Sequence, residues 1–248
     1  MLQLRRLAQA GFVIRSRTTT LIVDAFLSPR PDRLVPPRAS AESLGGATAI
    51  LATHEHKDHL DRAALPALVA ASPDAMVIVP APLLDLVRAL VPDARVIGAR
   101  VDEEIVVGDA RIAPVPARHG VTMSDAYRED ARFLGYVIAV AGALIYHAGD
   151  TLGYEDQARR IRGVDIALLP INGRTPEREA RGFVGNMDHV AAVELCASAG
   201  IRTLVPMHHD TIDGNTGNVA ALREYATRYP DVRVIEIAPF AEVRWPPD

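Results

Sequence analysis

The chain has 248 residues, of which 49% are hydrophobic and 23% charged, which is ample for the core of one layered α/β unit spanning residues 1–248. A net charge of -4 gives no electrostatic footprint for a polyanion, so no nucleic-acid partner is expected. No apolar run reaches the roughly 18 residues of a membrane span, one cysteine forbids an internal disulfide, and the first residues lack the pattern of a secretory signal; no membrane association and a cytoplasmic setting are expected.

Strands are predicted over residues 4–15 and 19–26, joined by the polar turn Arg15-Ser16-Arg17-Thr18. Residues 28–38 carry four prolines and read as a loop. The apolar run Ala47-Thr48-Ala49-Ile50-Leu51-Ala52 reads as a strand and delivers a polar motif at its end. A helix over 62–71, a strand over 76–80, a helix over 83–91 and a strand over 95–99 follow. Residues 104–107, 110–117 and 133–140 form a β-rich zone with Gly108-Asp109 as a hairpin turn. The last part alternates: strand 143–146, helix 154–162, strand 164–169, helix 188–199, strand 203–206, helix 219–229 and strand 233–237. Two sheets face to face with helices outside are the natural packing of such a series.

The motif is Thr53-His54-Glu55-His56-Lys57-Asp58-His59-Leu60-Asp61, with three histidines and a carboxylate in six positions. Side chains two apart on an extended segment leave the same face, so His54 and His56 can grip one ion, with zinc–nitrogen distances of about 2.0–2.1 Å. If the chain then turns, Asp58 and His59 reach a second ion. The other histidines stand at 119, 147, 189, 208 and 209. His119 follows a strand and supplies a third nitrogen beside His54 and His56. Asp150 follows Gly149 at another strand end, where two oxygens suit two cations. His208 ends a third strand and completes a site with Asp58 and His59. One ion then sees His54, His56, His119 and Asp150; the other sees Asp58, His59, Asp150 and His208. Two cations about 3.5–4 Å apart make hydroxide available from a bridging water at neutral pH and polarise an electrophile, which predicts hydrolysis.

This pattern resembles the metallo-β-lactamase superfamily, with its His-x-His-x-Asp-His motif followed by a distant His, an Asp and a final His. The resemblance covers essentially the whole chain and implies a four-layer αββα sandwich, an α/β fold with a dinuclear site at one edge of two sheets. Glyoxalase II-like and tRNA-processing members carry glycine soon after the last histidine of the motif, whereas Leu60-Asp61 stands here. Residues 146–151, Asn186-Met187-Asp188-His189, Pro206-Met207-His208-His209-Asp210 and Trp245-Pro246 resemble the L-ascorbate-6-phosphate lactonase-like branch. That likeness implies lactone opening with zinc or manganese, a small-molecule substrate and a homo-oligomer. The chain departs from the ascorbate 6-phosphate enzyme in carrying His119, in a shorter N-terminus and in Ile171-Asn172-Gly173-Arg174-Thr175-Pro176. With His119 the site looks more like an ordinary two-zinc hydrolase.

Asp58 or Asp150 could pass the proton on, and Asp58 is the preferred catalytic carrier, since binding through one oxygen leaves the other free. Asn172, Arg174 and His189 are candidates for gripping substrate. Arg174 offers a bidentate fork to a carboxylate or phosphate, or instead an ion pair to Glu177 or Glu179. His189 is otherwise an ordinary residue at a helix start. Asp24 is expected to orient the motif loop, His209 to stand behind the ligands, His147 to be a satisfied core histidine, and Cys196 to be a small buried hydrophobe. The alternatives to a lactone or ester hydrolase are a phosphodiesterase and a metal-stabilised binding protein without turnover.

Overall fold

The computed structural model describes residues 1–119, 132–180 and 185–246, leaving aside the side chains of 178 and 179. The described residues build two sheets of seven strands each. The first contains β1 (Leu2–Arg6), β2 (Phe12–Arg15), β3 (Thr20–Val23), β4 (Ala49–Leu51), β5 (Met76–Pro80) and β6 (Arg95–Ala99), with β14 (Glu242–Trp245) on its edge beside β1. The second contains β7 (Ile105–Val107), β8 (Ala110–Pro116), β9 (Leu134–Val140), β10 (Ala143–His147), β11 (Ile166–Pro170), β12 (Thr203–Met207) and β13 (Arg233–Val234).

Both sheets follow one plan. An antiparallel meander, β1-β2-β3 or β7-β8-β9-β10, gives way to parallel strands, β3-β4-β5-β6 or β10-β11-β12-β13. The parallel strands β5, β11 and β12 are buried along their whole length, as expected of strands covered on both faces, and they read as unbroken apolar runs. One face of each sheet meets the other: Leu4, Phe12, Ile14, Leu51 and Ile78 pack with Ile112, Tyr136, Ile138, Leu168 and Val205. The outer face of the first sheet, through Ile22, Ile50 and Val77, packs on α1 (Leu65–Ala70) and α2 (Leu84–Leu90). That of the second, through Ala167, Leu169 and Leu204, packs on α5 (His189–Ala199) and α6 (Val219–Ala226). Helix, sheet, sheet, helix is the predicted layering. Two shorter helices, α3 (Gln157–Arg160) and α4 (Pro176–Ala180), complete it.

Three expectations need correction, and two elements were missed. The predicted strand 4–15 is two strands, broken by a turn in which Leu7 N donates to Gly11 O and Gly11 N to Ala8 O. Its left-handed residue is Gln9, φ 52°, and not the glycine or asparagine that would have marked that position. Helix 154–162 shrinks to α3, and strand 233–237 to β13. Strand β14, pairing Leu2 with Trp245, and helix α4 were not predicted. Among the described residues no helix is long and apolar enough to cross a membrane.

Candidate metal centre

The parallel strands of both sheets, together with β8, release their C-terminal ends toward one edge, and every predicted ligand sits on a loop that leaves there. The motif loop departs from β4 and is pinned by Asp24, which ends β3 in a left-handed conformation, φ 49°. Asp24 Oδ1 accepts from Thr53 N at 2.8 Å, and Oδ2 accepts from Thr53 Oγ1 at 2.7 Å while lying 2.6 Å from His59 Nδ1. Thr53 Oγ1 also stands 3.1 Å from His54 Nδ1. The loop turns where His59 N and Leu60 N both donate to His56 O. Asp61 holds its far end by accepting from Leu27 N, Ser28 N, Ser28 Oγ and Ala64 N. The motif's terminal carboxylate thus ties its loop to the one after β3.

Two groups of ligating side chains converge: His54, His56, His119 and Asp150, and beside them Asp58, His59 and His208. In the first, His56 Nδ1 lies 2.9 Å from His54 Nε2 and 3.3 Å from His119 Nε2. Asp150 Oδ2 faces this group, 3.4 Å from His119 Nε2 and 3.9 Å from His54 Nε2. Asp150 Oδ1 faces the second, 2.8 Å from His208 Nε2 and 3.3 Å from His59 Nε2. Among the described residues, His59 Nε2, His208 Nε2 and Asp150 Oδ1 are buried and have no partner in hydrogen-bond geometry. Polar atoms left so are costly, and a cation is the partner that suits imidazole and carboxylate donors together. The residues fit divalent metal.

Burial pushes His54 well below the usual imidazole range, with His59 adding to it, and pushes His119 down to about 4. Both are neutral at physiological pH, the form a metal requires. Burial resists ionisation of Asp150, but His208, His59 and His119 outweigh it and hold its carboxyl well below the usual range. Asp58 is held down in the same way by His59 and His208 against burial. Burial also opposes charge on His59, where Asp150, Asp24 and Asp58 prevail and raise it.

The other predicted residues are distributed more widely. Asn172 is buried, its Nδ2 donating to Asn215 Oδ1 at 2.7 Å and its Oδ1 accepting from Asn186 Nδ2 at 3.1 Å; both ends of its amide are engaged by protein. Arg174 is exposed just before α4, its stem packed on Gly185, and the side chain of Glu179 lies outside the described residues. His189 opens α5 with its ring edge-on to Tyr225 of α6, at 6.3 Å, apart from the ligating groups. His147 is buried, with Nε2 2.8 Å from Ala10 O and Nδ1 accepting from Gly149 N. His209 points away from the ligands, its Nδ1 3.8 Å from Asp210. Burial raises the Cys196 thiol to about 12, which leaves it unreactive.

Sequence reasoning missed Arg6, Gln9, Asp210 and Thr211, which back the second group. Arg6, fully buried, donates from both terminal nitrogens to Asp210 at 2.7 Å. Its signal was period: Arg6 shares parity with Leu2 and Leu4, so alternation placed a cation on the core side of β1.

The profile of the β-lactamase superfamily domain matches residues 19–209. The UPF0173 metal-dependent hydrolase of Thermococcus kodakarensis is 30% identical over 85% of this chain and 86% of its own length. Among solved structures, Igni18, a metallo hydrolase from Ignicoccus hospitalis, superposes with a TM-score of 0.76 at 19% identity, covering 98% of this chain and 97% of that one. An isothiocyanate hydrolase from Delia radicum gut bacteria superposes at 0.74 and 19% identity, covering 98% of each chain. These two likenesses speak to the fold alone. With the profile spanning most of the chain and the archaeal relative most of its length, this protein belongs to the metallo-β-lactamase superfamily, alongside its metal-dependent hydrolases.

Proposed function

We propose that the site takes two divalent cations, zinc first and manganese next, and hydrolyses a lactone or similar small ester as in the L-ascorbate-6-phosphate lactonase-like branch. One observation carries this reading: Asp150 offers one carboxylate oxygen to each of two adjoining groups of ligating atoms. His54, His56 and His119 would hold one cation with Asp150; Asp58, His59 and His208 would hold the other with it. Bound there, the cations supply Lewis acidity and a hydroxide source at neutral pH.

The chain's own residues supply the proton traffic. Asp58 is half-buried and ionised, with Gln9 Nε2 donating to its Oδ2 at 3.0 Å. It accepts the proton that the attacking water loses and returns it to the leaving alkoxide as the ring opens. Phe133 lies against His54, His56 and His119 at ring separations of 5.5, 6.1 and 5.4 Å, and limits water around them.

Protein reconstituted with zinc or manganese is assayed on a panel of lactones and esters and on bis(p-nitrophenyl) phosphate. Lactone opening that disappears in His54→Ala supports the proposal. Faster turnover of the phosphodiester moves the assignment to phosphodiesterase. Metal uptake without turnover of any substrate leaves a binding protein and ends the hydrolase reading.

A further inference from the structure

We propose that Gln9 is a positioning residue for the second ion, fixing Asp58 and His208 relative to each other, and that the buried Arg6–Asp210 pair holds Gln9 in place. This rests on the two-cation reading above. The observation is a convergence on one atom: Gln9 Nε2 donates to Asp58 Oδ2 at 3.0 Å and lies 2.9 Å from His208 Nδ1. Asp58 arrives on the loop after β4 and His208 on the loop after β12, in different sheets. Gln9 hydrogen-bonds Asp58 and contacts His208 through a single atom. It stands beside the His208 ring nitrogen opposite the one facing Asp150, the place where groups that orient a ligating histidine sit.

The backbone gives the same indication. Gln9 sits at φ 52°, where a side chain with a Cβ is disfavoured, and His208 at φ 55°. Such conformations persist only where surroundings over-determine them. Here Gln9 N donates to Thr211 Oγ1 at 2.8 Å, and His208 N donates to Gln9 O at 3.3 Å. Thr211 Oγ1 donates in turn to Asp210 Oδ1, which Arg6 clamps. Gln9 is fully buried, and among the described residues its Oε1 has no partner, so the turn before β2 gains no hydrogen bond from the amide oxygen. A glutamine serving only the turn would use neither ligand. A His208 that gives Nε2 to a cation carries its proton on Nδ1, which needs an acceptor; a turn of the amide that offers Oε1 to Nδ1 and keeps Nε2 on Asp58 satisfies both.

The test is a zinc titration of metal-free protein against a chromophoric chelator, resolving two binding steps. Gln9→Met keeps length and volume while removing the amide; it is expected to weaken one ion 10–100-fold and leave the other unchanged. His119→Ala should weaken the remaining ion, so that the double variant shows both losses. Should Gln9→Met not fold, Gln9→Asn, which tolerates positive φ but falls short of both ligands, reads the same step. Two unaltered binding steps, or an equal loss in both, overturns the role of Gln9. Wild-type protein that takes up fewer than two ions overturns the two-cation reading itself, and the role of Gln9 with it.

Discussion

Asp24 Oδ2 lies 2.6 Å from His59 Nδ1, while Asp24 Oδ1 takes the hydrogen bond of Thr53 N, so one buried carboxylate fixes both the start of the motif loop and its last ligand. A histidine that donates from Nδ1 presents the lone pair on Nε2, and His59 Nε2 faces Asp150 Oδ1 at 3.3 Å. Asp24→Ala frees the ring to rotate without touching any ligating atom. Zinc affinity is expected to fall 10–100-fold, read by chelator competition; wild-type affinity in the variant would remove Asp24 from this role.

Gly149 sets the distance between Asp150 and the motif loop. At φ 59°, a Cβ there would stand 2.8 Å from both Cβ and Oγ1 of Thr53 and 2.9 Å from Leu134 O. Gly149→Ala therefore combines left-handed strain of roughly 1–2 kcal/mol with overpacking of roughly 1–3 kcal/mol. Because Thr53 holds Asp24 and adjoins His54, the displacement also reaches the ligands. Urea denaturation should show the stability loss, and metal analysis a lowered zinc content. A variant with the wild-type unfolding midpoint would show that the loops part without cost.

Much of this architecture was legible beforehand because it rests on short-range chemistry. Strands β5 and β6 matched their predicted bounds, since uninterrupted apolar runs between polar segments have one reading. The convergence of the candidate ligands was legible because histidine is rare and seldom gathers without cause. What escaped notice depends on contacts distant in sequence. Gln9 looks like one polar residue in an apolar stretch until the fold brings Asp58 and His208 to it, and β14 becomes a strand only because β1 offers an edge. Asn172 was assigned to substrate on its position after β11, yet Asn186 and Asn215 engage its amide. Position after a strand indicates access to the site, but not which partner a side chain meets there.

Removal of metal should soften the whole edge where the loops meet. Without a cation, His54, His56 and His119 bring three ring nitrogens together around one Asp150 oxygen, and His59 Nε2 and His208 Nε2 stay without hydrogen bonds. Ligand binding to the folded state alone contributes about 2.7 kcal/mol at a hundredfold excess over Kd. Calorimetry with and without a chelator should therefore give a lower Tm in the stripped protein, restored by adding zinc back. An unchanged Tm would mean that the groups do not take metal in the folded state.

The Arg6–Asp210 pair makes stability depend on acid. Burial opposes the Asp210 carboxylate, but Arg6 outweighs it and holds the carboxyl below its usual range. A depressed pKa in the folded state means that the contribution is fully present above the unfolded value, about 3.9, and is lost as pH falls through the folded one. Arg6 is fully buried, so Asp210→Asn strands a cation; breaking such a pair costs roughly 3–5 kcal/mol. At neutral pH the variant should unfold at lower urea than wild type by that amount. As pH drops below about 4, the unfolded wild-type chain takes up a proton at Asp210 and the gap should narrow, until the folded carboxyl is protonated as well. A gap that stays constant from neutral to acid pH would show that the Asp210 charge plays no part in holding Arg6.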